Sequence, residues 1–183
     1  RQRQMCIRDR NKLVPGLPSG FEDRWEIKLL LKKKLLKAIE NNFIKFGAEP
    51  LETPSFEISE NIGSFLAEDE ANPMSDVFSF QDGEKSITLR YDLSSPLARF
   101  VAQNNQELPS IFKRYQIQNV FRNEKAGNGR YREFMQADFD IVGNVDPAQA
   151  NAELCNLISS TLSDCGLNKD QFTINVSNRK IVQ

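Results

Sequence analysis

The sharpest pattern in the chain is the alternation in RYREFMQADFDI, residues 130 to 141. A β-strand turns successive side chains to opposite faces, so a period of two divides this stretch into two sets. Arg130, Arg132, Phe134, Gln136, Asp138 and Asp140 fall on one face. Tyr131, Met135, Ala137, Phe139 and Ile141 fall on the other, interrupted only by Glu133, and suit a core. The polar face is therefore ordered, running from cationic to anionic along the strand.

Upstream, residues from about Glu22 to Phe46 follow the period of a helix. Leu31, Leu35, Ile39, Phe43 and Phe46 recur at spacings of three and four, and Gly47 is placed to stop the helix. Leu29, Leu30 and Leu36 widen the apolar stripe. A second partner surface and a deeply packed helix both account for that width. In AEPLETPSFE, Pro50 and Pro54 confine any strand to an edge or to short pieces. Residues 60 to 76 are acidic and irregular, as a surface loop would be.

VFSF and SITLRY flank QDGEK, a hairpin signal with Asp82-Gly83 at the turn. In DLSSPLARFVAQN a strand gives way to a helix, where Ser94 or Ser95 can cap and Pro96 suits the first helical position. Asp92 and Ser94 sit at this junction, where side chains either face a cleft or simply cap. A second hairpin joins QIQNVFRNE to RYREFMQADFDIVG through KAGNG. Asp146-Pro147 then opens a helix towards Cys165, Gly166 closes it, and FTINVS alternates as a last strand. Hairpin-connected strands with helices at the ends predict an α+β fold, an antiparallel sheet flanked by helices.

Composition narrows the chemistry. The 183 residues suffice for one domain with a sizeable core, and no apolar run approaches the roughly 20 residues that span a bilayer. A membrane role is not expected. Lys and Arg number 24 against 25 Asp and Glu, so nucleic acid would have to meet a local patch rather than a basic surface. Cys6, Cys155 and Cys165 form no metal-ligand spacing, and an odd count suits a reducing, cytoplasmic setting. With no histidine in the chain, His-based acid–base chemistry and the serine and cysteine triads drop out. An enzyme built from these residues works by positioning and charge, and no metal-ligating residues are expected.

The ends look different from the middle. RQRQMCIRDR has neither an initiator methionine at position 1 nor the apolar core of a signal peptide, and reads as adapter- or vector-derived sequence. A basic arm for nucleic acid is the alternative. At the other end IVQ follows the strand-like FTINVS with no closing element, so a fragment is expected.

On the strand before KAGNG, Arg122 and Glu124 share a face, and a turn centred near Gly127 puts Arg122 opposite Arg132. Converging guanidiniums suit a phosphate, because each planar fork donates two parallel hydrogen bonds and stays charged. Phe134 could stack on a planar base. Gln136 lies about 13 Å beyond Arg132 along the strand, and Asp140 one further step of that size. Such a face would take an anionic nucleotide at one end and an ammonium at the other. Amino-acid activation needs that layout: the carboxylate is itself the nucleophile, so the protein aligns two anions, neutralises charge and anchors the amino group. A cross-strand salt-bridge ladder on an exposed sheet is the plainer explanation of the same pattern.

FRNEKAGNGRYREFMQADFDIVG resembles motif 2 of the class II aminoacyl-tRNA synthetases, specifically that of the histidyl-tRNA synthetase family. TLRYDLSSPLAR resembles the same family's histidine-binding segment, and the long helix with FGAEPLETPSFE resembles motif 1, with Pro54 as its proline. LVPGLPSGFEDR resembles the lead-in to that motif. The resemblance covers nearly all of residues 12 to 183. It implies a partial class II catalytic domain over residues 11–183, with motif 1 at about 24–56, the histidine-binding segment at 88–99 and motif 2 at about 114–142. Residues 1–10 stay outside it.

Carried over to this chain, the resemblance implies that Arg122 meets the α-phosphate of ATP and the histidine carboxylate and is the catalytic residue. Glu124 and Phe134 would take adenine, and Arg130 the distal phosphates. Gln136 and Asp140 would hold the histidine ammonium group, joined by Asp92, Leu93 and Ser94. Many members carry glutamate, glycine and threonine where this chain has Asp92, Leu93 and Ser94; the serine retains the hydroxyl. Implied partners are L-histidine, ATP with Mg²⁺, tRNA(His) and a second copy through the motif 1 helix. The later histidine-specific segment, motif 3 and the anticodon-binding domain would follow residue 183, so this stretch alone is expected to be inactive or nearly so. Two other readings are a regulatory paralogue serving histidine biosynthesis and a non-catalytic interaction module. Arg122, Glu124 and Phe134 argue against both, since neither needs an adenine and phosphate clamp.

Overall fold

A computed structural model describes residues 14–62 and 77–177. The leader and most of the acidic segment after residue 62 lie outside them. Helix α1 spans Glu26–Lys45, inside the predicted limits. It ends where Gly47 takes φ +81°, a left-handed conformation that other residues resist, with Phe46 and Gly47 N–H groups closing on the carbonyls of Asn42 and Ile44.

Strand β1 is the two residues Glu49–Pro50, as short as the prolines require. It lies parallel to β5, Ile111–Phe121, which pairs antiparallel with β6, Glu133–Gly143, giving the sheet order β1-β5-β6. Strands β2 (Phe56–Ile58), β3 (Ser79–Asp82) and β4 (Lys85–Leu89) form a second, antiparallel sheet in the order β2-β4-β3. The β3–β4 hairpin turns immediately after Asp82, with Asp82 paired to Lys85. The α+β expectation holds, but the strands divide between two three-stranded sheets and one pairing is parallel. Both departures begin at the proline-broken stretch before Phe56, which cannot supply a long ladder strand.

Three local expectations are corrected. Helix α2, Ser94–Asn104, is not capped by a serine: Asp92 Oδ1 accepts from the Ser95 N–H at 3.1 Å, and Pro96 is the third helical residue. Strand β6 begins at Glu133, so Arg130 to Arg132 belong to the loop, held by a Gly127–Arg130 bridge. FTINVS joins no ladder among the described residues, because alternation makes a strand only where a partner edge is offered. Helix α3 follows prediction, running Pro147–Asp164 with Asp146 accepting from the Ala148 N–H at 2.9 Å.

One face of β5–β6 forms the main core. Phe43 of α1 and Leu157 of α3 pack against Tyr115, with Phe139 and Ile117 beside them, and the Phe43 ring lies 5.8 Å from Tyr115 and 5.6 Å from Phe139. The opposite face is polar through its middle, with Phe112 against Phe100 of α2 at one end and Val120 paired with Phe134 at the other. Fixing one face in a core turns every second side chain of both strands to the opposite side, where Arg114 and Gln118 of β5 meet Leu93 and Arg90 at the β4–α2 junction.

Candidate functional site

The register of β5 and β6 sets out the polar face as a series of cross-strand pairs. Arg114 lies opposite Asp140, Gln116 opposite Asp138, Gln118 opposite Gln136, and Val120 opposite Phe134. One step further, the Arg122 N–H donates to the Arg132 carbonyl at 2.9 Å, so the predicted opposition of Arg122 and Arg132 is present.

At this upper end Arg122, Glu124, Arg130 and Phe134 line a single cavity of about 320 Å³ together with Gly129 and Tyr131. The Arg122 guanidinium is held between two rings, 4.4 Å from the Tyr91 centroid and 5.0 Å from that of Phe134. Arg130 Nε donates to Glu124 Oε2 at 2.7 Å, and Tyr91 Oη donates to Glu124 Oε1 at 3.4 Å. Arg132 is not part of this cluster. Its guanidinium lies 4.6 Å from the Phe78 centroid and bonds Asn123, while its side chain packs on Gly20, where a Cβ would sit 2.6 Å from Arg132 Cγ. Tyr131 replaces it in the cavity wall, since the loop conformation before Glu133 frees Tyr131 from strand alternation.

The other end is carboxylate-rich and partly buried. Arg114, fully buried, pairs with Asp140 Oδ2 at 2.7 Å, and it also donates to Gln116 Oε1 and the Leu93 carbonyl. Burial raises the Asp140 carboxyl above its ordinary value, against the pull of Arg114. Asp138 is raised for the same reason, with Arg114 opposing and Asp140 and Asp92 adding to the shift. Between the two ends, Gln136 Oε1 is buried with no hydrogen-bond partner among the described residues. A buried acceptor left unmatched is costly unless a donor arrives. Asp92 and Ser94 line a larger cavity of about 660 Å³ with Ser95 and Arg99. Leu93 is fully buried and lines neither cavity, and its carbonyl accepts from Arg114. Among the described residues no group of three or more Cys, Asp or Glu is placed to hold a metal ion.

The sequence that builds this face has known relatives. The family model for histidyl-tRNA synthetase matches residues 20–183. The chain belongs to the histidyl-tRNA synthetase family. Over 173 residues it is 79% identical to the histidine–tRNA ligase of Pelagibacter ubique, covering 94% of this chain and 37% of that protein. Against the histidine–tRNA ligase of Rhodopseudomonas palustris strain BisB18 it is 41% identical over 172 residues, 93% of this chain and 33% of the relative. The chain thus spans about a third of the length of these curated relatives. The crystal structure of histidyl-tRNA synthetase from Nostoc superposes with a TM-score of 0.67 at 28% identity, covering 81% of this chain and 34% of that one. The class II synthetase architecture expected from the sequence is the architecture found.

Several residues of this polar face were not singled out by sequence reasoning. Arg90 is buried and donates to the Thr53 carbonyl and Gln118 Oε1, Gln116 donates to Thr53 Oγ1, and Arg114 anchors Asp140. Continuing the Arg122–Arg132 opposition down the ladder would have placed Arg114 against Asp140.

Proposed function

We propose that this chain is part of the catalytic region of a histidine–tRNA ligase that activates L-histidine with ATP·Mg²⁺ and passes it to tRNA(His). One observation carries the reading: the β5–β6 face has an arginine–aromatic cavity at one end, carboxylates at the other and an unmatched glutamine acceptor between them. In this reading Arg122, already fixed between Tyr91 and Phe134, receives the α-phosphate and the histidine carboxylate. Holding both anions on one guanidinium brings nucleophile and phosphorus together and stabilises the charge that develops. Glu124 and Phe134 take adenine, and Arg130 takes the distal phosphates once it leaves Glu124. Gln136 Oε1 accepts from the ammonium group, which Asp140, Asp92 and the Ser94 hydroxyl surround.

Helix α1 serves a homodimer in this reading. Ile27, Leu30, Leu31 and Leu35 expose between 47% and 63% of their surface, a stripe that a second copy would cover. A cytoplasmic location follows from the translational role.

ATP/pyrophosphate exchange with each of the twenty amino acids, on the full-length gene product, tests the assignment. Exchange dependent on histidine alone and lost in Arg122→Ala supports it. Histidine binding without exchange would instead point to a regulatory paralogue.

A further inference from the structure

Arg114 is fully buried on the polar face, a position that costs a charged group its hydration and calls for compensating partners. The partners it has lie on two separate elements. The same Nη2 atom approaches Asp140 Oδ2 at 2.7 Å and the Leu93 carbonyl at 3.1 Å, while Nη1 donates to Gln116 Oε1 at 3.0 Å. Leu93 is the residue between Asp92 and Ser94. One nitrogen therefore ties strand β6 to the turn that begins α2.

We propose that Arg114 is the positioning residue of the ammonium subsite, locking Asp140 of β6 and the Asp92-Leu93-Ser94 turn into one fixed arrangement. The inference rests on the ammonium role proposed above for Asp140 and Asp92. Arg114 does not touch the substrate; it acts through the groups it holds. It also sets their charge. The charged groups facing one another here are Arg114 from β5, Asp138 and Asp140 from β6, and Asp92 from the α2 junction, while Glu49, at the register position of Arg114 on β1, is exposed. Three carboxylates share one cation. Burial already raises Asp138 and Asp140, and Arg114 is the group that pulls both back down. Without it, Asp138 and Asp140 would be held further towards the protonated form and attract an ammonium less. Lysine cannot replace the fork, because a single ammonium head lacks the planar donor set that bonds Leu93 and Gln116 while pairing with the Asp140 carboxylate.

The test is ATP/pyrophosphate exchange by the full-length protein in the native, Arg114→Met and Arg114→Lys forms over about pH 6.5 to 8.5, with separate KM values for histidine and ATP. Arg114→Met is expected to raise the histidine KM about 10- to 100-fold, with the ATP KM within about threefold of native. That defect should shrink as pH rises and the carboxylates ionise. Arg114→Lys should restore the native pH profile with an intermediate histidine KM. Equal loss for both substrates, or a pH-independent defect, would overturn the positioning role. If Arg114→Met does not fold, Arg114→Lys decides alone: a native histidine KM, or an ATP KM raised as much as that for histidine, refutes the proposal. Absence of histidine-dependent exchange in the native protein would instead remove the functional reading on which this one rests.

Discussion

The guanidinium of Arg122 lies 4.4 Å from the centroid of the Tyr91 ring, and its Nε donates to the Tyr91 carbonyl at 3.4 Å. Two segments far apart in sequence thus share the group proposed to hold both reacting anions. A cation over an aromatic face contributes about 0.5–2 kcal/mol, the larger figure where water is excluded. Tyr91→Ala is expected to lower exchange about 3- to 30-fold by loosening Arg122. Tyr91→Phe should retain nearly all activity, since the ring stays and only a long hydroxyl contact to Glu124 goes. Steady-state exchange kinetics compare the two.

Arg130 and Glu124 form an ion pair in which Arg130 is 64% exposed. An exposed pair contributes about 0–1 kcal/mol to folding, so Arg130→Ala should leave the unfolding midpoint nearly unchanged. Its proposed phosphate role predicts a larger effect elsewhere. The ATP KM should rise about tenfold and that of histidine should not, with the difference narrowing at high salt. A histidine KM raised as much as that for ATP would refute the division of the face into two subsites.

How far the sequence revealed this site depended on how local each feature was. The Arg122–Arg132 opposition, the Gly47 stop and the Asp146-Pro147 helix start were legible, because each is decided within a few residues by turn or cap chemistry. The polar face was legible from Gln136 to Asp140, where β6 is a regular strand. It was misread from Arg130 to Arg132, where loop geometry replaces alternation and sends Arg132 to Phe78 and Gly20. Arg114 and Arg90 were missed because buried arginines acquire meaning only from distant partners, here Leu93, Asp140 and Thr53. The division into two sheets depends on long-range pairing that alternation does not specify.

Burial raises the Asp138 carboxyl above its unfolded value, and the neighbouring Asp140 and Asp92 add to this. A carboxyl raised in the fold binds more protons there than in the unfolded chain. It therefore contributes stability that is fully present below the unfolded pKa, near 3.9, and lost as pH rises through the folded value. Asp138→Asn removes the ionisation and should raise the denaturant midpoint relative to native at pH 7. The advantage should vanish once pH falls below the unfolded carboxylate range. Urea titrations at several pH values measure it, and a native-like midpoint for the variant at neutral pH would contradict the stated burial cost.

Leu31 of α1 is 59% exposed, and Ile27, Leu30 and Leu35 lie close by along the same helix. The main core takes its α1 contacts from Ile39, Phe43 and Phe46 instead, so the first half of the helix contributes little to folding of one copy. Leu31→Glu should therefore leave the unfolding midpoint of the monomer within about 0.5 kcal/mol of native. In a two-fold dimer each substitution occurs twice across the interface. Losing about 1.5–3 kcal/mol of apolar burial per copy then weakens association by about 3–6 kcal/mol, more than 100-fold in Kd. Sedimentation equilibrium on the full-length protein would show this as a shift from dimer to monomer. An unchanged dimer would place the interface elsewhere, and the exposed stripe would then need a different partner.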